Sequence, residues 1–262
     1  MAPADRAGRA APVAPDGGSE MQVKRATFVP DPSLSRGEME ALQREIGGGA
    51  VFEDDPRFDP LSSDLLVAGV DQAFDGDRAV SAVVLTRGGE VIERVHARRK
   101  TEIPYIPGLL SFREGGSILA AFEELDREPD LALVDGSGRI HYREAGLATH
   151  VGVTLDLPTI GVAKGLLCGR LSNPPESPFP AGTRVPVLAD DEVSAPEGTV
   201  IGTALQTKQY EGARYVNPVY VSPGHRVSAE TAVDLVEACC AGYKLPEPIR
   251  LADRYAEEAK RL

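Results

Sequence analysis

Asp71 closes the apolar run LLVAGV and Asp135 closes LALV, so each carboxylate stands at the end of a stretch whose composition suits a buried strand. If those strands are neighbours in one sheet, the two carboxylates meet at one edge, where like charges must take up a proton or share a cation. Oxygen-only donors of this kind suit Mg²⁺ or Mn²⁺. Taken singly, each aspartate also serves as an ordinary cap or turn-former. Glu114, at the opening of the intervening helix, completes a three-carboxylate set, although an acid is favoured in a helix's first turn in any case. Lys164 follows the buried run PTIGVA and, beside carboxylates and a metal, can neutralise a phosphate or position a water. His225 follows a Pro-Gly pair that fixes the direction of its ring.

Other polar groups read more plainly. His96, His141 and His150 fall inside strand or helix patterns and are expected to be structural. The glycines of DGSG (135–138) make only a weak phosphate-loop signal; their more useful reading is close approach of a flat ligand to main-chain amides at Gly136, Ser137 and Gly138. Asp75-Gly-Asp sits where a hairpin must turn, not in a metal cluster. RVHARRK (94–100) is the one basic cluster in an acidic chain, and fits either a solvated strand edge or a phosphate-backbone contact.

The elements that must hold these residues follow from the pattern. Residues 1–25 are Ala, Pro, Gly and charge without periodicity and are expected to form a disordered tail, with Met21 as a possible start of the folded part. SLSRGEMEALQREIGGG is a helix with a Ser35/Glu38 capping box. Three β-rich runs between residues 65 and 100, parted by Asp-Gly and Gly-Gly turns, form an antiparallel meander. A strand-helix-strand-helix-strand alternation follows and implies a parallel half of the same sheet. The expected class is α/β, a ribonuclease H-like mixed sheet flanked by helices, in a single domain over 26–262. Residues 171–200 are Pro-rich and acidic and are expected as a surface excursion with one short strand. A helix capped by Ser228 and a final amphipathic helix close the chain.

Composition sets the limits. At 262 residues and 42% hydrophobic the chain buries one good core, and no run is long enough to span a membrane. With no apolar leader and three cysteines (Cys168, Cys239 and Cys240) in no zinc spacing, an intracellular, cytoplasmic, reducing setting is expected. The formal net charge of −12 argues on its own against a nucleic-acid binder. A solvent of molar salt gives the same signature, since acidic surfaces stay hydrated there, and the preference for Arg over Lys fits a salt-loving source.

The stretches VAGVD, PYIPGLLSFRE, PDLALVDGSG, GLATHVGVTLDLPTIGVAKGLLCG and PVYVSPGHRVS, in that order, make the chain resemble the endonuclease V family. The resemblance implies a ribonuclease H-like fold and Mg²⁺-dependent nicking of DNA at the second phosphodiester bond 3′ to deoxyinosine, leaving 3′-hydroxyl and 5′-phosphate ends; inosine-containing RNA is the alternative substrate, and a non-catalytic binder of distorted nucleic acid is the rival of another class. It implies Asp71, Glu114 and Asp135 as metal ligands, Mn²⁺ substituting for Mg²⁺, and Lys164 and His225 as further active-site members. It implies Tyr105 as a wedge that replaces the displaced base, with Gly136, Ser137 and Gly138 in the pocket that receives it. Three departures lie near that pocket: Ser137 stands where the family commonly has a histidine or similar polar residue, HYR (141–143) replaces the usual HPR, and REGGS (113–117) replaces a more apolar start to the helix. Pro104, Ile106 and Pro107 flank Tyr105 and restrict its backbone, so the ring can be held ready at small ordering cost. A monomer is expected.

Overall fold

The computed structural model describes residues 21–57, 59–60, 62, 64–174, 179–209 and 217–262. The sheet begins with the expected meander: β1 (Leu66–Asp75), β2 (Arg78–Arg87) and β3 (Glu90–Lys100), paired antiparallel through two-residue turns at 76–77 and 88–89. β4 (Leu131–Asp135) and β5 (Thr159–Ala163) then add parallel to β1. β6 (Arg170–Leu171), β7 (Arg184–Leu188), β8 (Val200–Leu205) and β9 (Val219–His225) complete a nine-stranded mixed sheet in the order β3-β2-β1-β4-β5-β9-β8-β7-β6.

Helices cover both faces because β1 and β4 alternate two apolar sets. Ala68, Val70, Ala132 and Val134 pack under α2 (Leu110–Phe122) and α3 (Leu147–Leu155). Val67, Leu131 and Leu133 pack under α4 (Ala229–Ala238) and α5 (Glu247–Ala259). Gly69 lets α5 sit directly on β1: a Cβ there would lie 1.9 Å from the carbonyl oxygen of Pro248. On the other face α1 (Arg36–Gly49) starts at the expected capping box, Ser35 with Glu38, and packs on α3. Ser228 caps α4 by accepting from the backbone N–H of Thr231.

Two boundaries differ from expectation. The expected tail is described only from Met21, residues 1–20 lying outside the described residues. Met21 to Arg25 are seated on the fold: Met21 is 1% exposed within the α2/α3 core, and the amides of Lys24 and Arg25 both donate to the carbonyl of Thr154. Met21 and Val23 are too few apolar residues to show a periodicity, so 22–25 read as tail while Met21 alone marks the start of the folded part. The excursion at 171–200, of which 175–178 lie outside the described residues, is stitched to the sheet edge by β6 and β7, and Val187, Ala189, Val193 and Ala195 form a small core there with Ile140, Cys168 and Ile201.

Candidate active site

β1 and β4 run parallel with Val70 opposite Val134, so Asp71 and Asp135 follow in register on neighbouring strands, about 4.8 Å apart at the backbone. Asp71 is 7% exposed. Burial, then the adjacent Asp135 carboxylate, pushes its pKa up to about 8, even though Oδ1 accepts from the backbone N–H of Gln72 at 2.7 Å. Glu114 lies in the second turn of α2 rather than at its opening, equally buried. Burial raises its carboxyl to about 7, with Asp135 adding to the rise against the opposing pull of Arg113. The three carboxylates are therefore one electrostatic unit.

Lys164 follows β5 and donates from Nζ to Oδ2 of Asp135 at 2.5 Å. Burial works to lower its pKa, but Asp135, then Asp71 and Asp253, outweigh that, and the ammonium is held above its ordinary value. Asp253, on α5, also adds to the rise at Asp71. The sequence reading missed this fourth carboxylate, because it is one acid among several on a helix whose buried stripe is Ile249, Ala252, Ala256 and Ala259. Its only signal was its place one residue after Ala252 of that stripe.

Among the described residues, no three His, Cys, Asp or Glu side chains stand close enough to cage an ion. The ammonium of Lys164 is the cation that sits at Asp135, and the acids otherwise repel one another. The donor set nonetheless fits a hard divalent ion: oxygen ligands only, two of them with pKa values that burial and mutual repulsion have raised and that a cation between them would lower.

His225 is not brought to this cluster. β9 runs antiparallel to β5, so His225 pairs with Thr159 while Ala163, next to Lys164, pairs with Tyr220. Four strand residues, about 13 Å, separate the two ends. Pro223 and Gly224 lie within β9, beside an irregularity in its pairing with β5, not in a turn before the histidine. His225 is fully buried in a clasp: Nδ1 accepts from the backbone N–H of Val51 at 3.2 Å and Nε2 faces Oδ1 of Asp156 at 3.4 Å. Arg226 donates from Nη2 to both oxygens of Asp156 and from Nη1 to Asp55. Burial pushes the His225 pKa down to about 4.

Beside the carboxylates lies a cavity of about 320 Å³, lined among others by Tyr105, Gly108, Gly136, Ser137, Gly146 and Leu167. Of the expected glycine pair, Gly136 borders the cavity. Gly138 is buried behind it and its N–H donates to Oγ of Ser222, while the Gly136 N–H donates to the carbonyl of Val162. These two amides are therefore not free for a ligand. Tyr105 stands 61% exposed at the rim, and the adjoining Ile103 and Ile106 pack on the cluster of Met39, Leu109 and Phe112. Pro104 and Pro107 are exposed on either side.

The three remaining histidines have structural partners. The ring of His96 bonds Tyr255, His150 reaches the carbonyl of Phe28, and His141 that of Gly108. In the basic cluster, Arg94 faces Glu258 and the ring of Tyr255, and Arg98 donates to the carbonyl of Ala259, so both are engaged with α5.

Comparison with known proteins shows the family. The family model described as Endonuclease V matches residues 53–254. An endonuclease V from Haloarcula marismortui is 59% identical over 261 residues, covering 90% of this chain and 96% of that protein. The crystal structure of the Streptomyces avermitilis endonuclease V superposes with a TM-score of 0.74 at 34% identity, covering 92% of this chain and 98% of that one. The Ciona intestinalis endonuclease V superposes at 0.69 and 26% identity, covering 86% and 97%, and was crystallised in complex with a 24mer DNA containing an inosine followed by a ribo-adenosine. A mixed sheet carrying paired buried carboxylates, together with relatives at this identity along most of the chain, gives one conclusion: the chain belongs to the endonuclease V family.

Proposed function

We propose that the protein is a Mg²⁺-dependent DNA repair endonuclease that nicks a strand at the second phosphodiester bond 3′ to deoxyinosine, leaving 3′-hydroxyl and 5′-phosphate ends. The observation that carries the reading is the in-register pair Asp71 and Asp135, with burial and the neighbouring carboxylate raising the pKa of Asp71. Asp71 and Asp135, with Glu114 drawn in, would hold the ion, Mn²⁺ being an alternative, and Asp253 adds negative field from α5. A divalent ion bound there supplies a water of lowered pKa and polarises the phosphate.

The chain's own residues do the rest. Lys164, now on Asp135, offers its ammonium to the phosphate charge that builds up as the bond breaks. Asp71 and Glu114 would have to give up their protons to hold a divalent ion, which would tie activity to pH. The cavity between Gly136, Ser137, Gly146 and Leu167 receives an extruded base, and Tyr105 at its rim stacks into the gap left in the duplex. His225 takes no part in the chemistry; its clasp holds the far edge of the sheet.

The inosine-containing ligand of the Ciona relative supports the lesion assignment, and the ribo-adenosine beside that inosine supports RNA as a second reading. Matched DNA and RNA strands of one sequence, each with one inosine, separate the two by their nicking rates. Asp71→Ala should abolish nicking while leaving the thermal transition in place. A variant that nicks normally in Mg²⁺ overturns the assignment of the site. The near relatives come from salt-loving archaea, and the charge of −12 supports a protein working in molar salt.

A further inference from the structure

On the apolar face of α1, between Met39, Leu42 and Ile46, the sequence places a glutamine. Gln43 is fully buried, and an amide in that position is costly unless each of its groups finds a partner. Both do. Nε2 donates to the carbonyl of Gly108 at 2.8 Å, and Oε1 accepts from Nη1 of Arg143, whose Nη2 is paired with Glu40 at 2.9 Å.

The same Gly108 carbonyl faces Nε2 of His141 at 3.0 Å. The backbone N–H of Arg143 donates to Nδ1 of that ring, so the proton is on Nε2 and points at Gly108. One carbonyl thus accepts two buried donors, the full capacity of its lone pairs. Gly108 has a positive φ of 79°, and a Cβ there would lie 3.1 Å from the ring of Tyr142. Ile103 and Ile106 pack on the cluster that Met39 of the same helix forms with Leu109 and Phe112. The loop that carries Tyr105 is therefore held by α1 at both ends, through polar and apolar contacts, from a helix that lies before the matched span 53–254.

We infer that α1 is a positioning element for the Tyr105 loop and that Gln43 is a positioning residue that sets the preference for inosine in duplex over inosine in a single strand. The inference rests on the proposed role of Tyr105 as wedge. Only a stacked, paired base must be extruded, so only duplex cutting needs the ring at a fixed place above the cavity.

The test uses the full chain with Gln43→Ala and, to keep the volume, Gln43→Met. Amide hydrogen exchange in residues 101–109 should quicken by about tenfold, the loss of one buried hydrogen bond. Gln43 also borders the cavity, so single-stranded inosine should be cut somewhat more slowly too, but single-turnover nicking of an inosine duplex should fall by about the same factor as the exchange quickens and by several-fold more than nicking of the single strand. Added to Tyr105→Ala, Gln43→Met should slow duplex nicking no further. Unchanged loop exchange, equal slowing of both substrates, or effects that multiply with Tyr105→Ala would overturn the inference. If the unaltered protein fails to nick inosine duplex at all, the nuclease reading fails, and the exchange experiment still decides whether Gln43 holds the loop.

Discussion

Binding of Mg²⁺ should be steeply coupled to proton release. Asp71 sits at about 8 and Glu114 at about 7, against ordinary values of 3.8 and 4.5. Because both folded values are raised, the metal-free protein has the full stability from these groups below about pH 4 and loses it as pH climbs through 7 to 8. An ion that binds the carboxylates must first displace their protons. Between pH 6 and 8 that cost falls by nearly two decades for Asp71 and about one decade for Glu114, so the association constant should rise by between two and three decades, roughly 4 kcal/mol. Isothermal titration in buffers of different ionisation enthalpy reads the effect directly: close to two protons released per ion at pH 6 and fewer than one at pH 8. An affinity that is flat across this range, or a heat that ignores the buffer, would refute the view that burial and mutual repulsion keep these carboxyls protonated.

Three substitutions probe the rest of the frame. Gly69→Ala drives a methyl into the Pro248 carbonyl, 1.9 Å from where its Cβ would stand, and should cost roughly 3 kcal/mol or more in chemical denaturation, with nicking lost as α5 and Asp253 shift. Tyr105→Ala at an exposed position should leave stability within about 0.5 kcal/mol, yet slow duplex nicking about tenfold to a hundredfold through the lost stacking. His225→Asn should keep nicking per folded molecule within about threefold at pH 7.5. The depressed pKa of about 4 means that neutral His225 contributes stability above pH 6.5, which is lost as pH falls towards 4, so the acid limb of a melting-temperature profile should flatten in this variant.

Much of the site could be read from local pattern, and the misses have a common cause. Asp71 and Asp135 were legible because each ends an apolar run, and two parallel strands bring such ends together. Lys164 follows by the same rule on β5. His225 also ends a run, but β9 is antiparallel, so its end lies at the opposite edge; strand direction is a tertiary property that alternation of residue types does not encode. Asp253 is hidden for the complementary reason, since it lies on an amphipathic helix whose docking onto β1 depends on Gly69 far away in sequence. Gln43 reads as a polar break in an apolar stripe until Gly108 is seen to need its donor. The meander, the capping box and the Ser228 cap depend on contacts within a few residues and were all legible.

The proposed role of the carboxylate cluster is that of a metal-dependent nuclease centre directed at inosine. Its most direct test is a strand-nicking assay on a duplex with one deoxyinosine and on the same duplex with adenine, with and without Mg²⁺, at low and at molar salt. A single nick is expected at the second phosphodiester bond 3′ to inosine, dependent on Mg²⁺, strongest in molar salt and absent from Asp71→Ala. Nicking that persists in chelator, or that cuts the adenine strand as fast as the inosine strand, would contradict it.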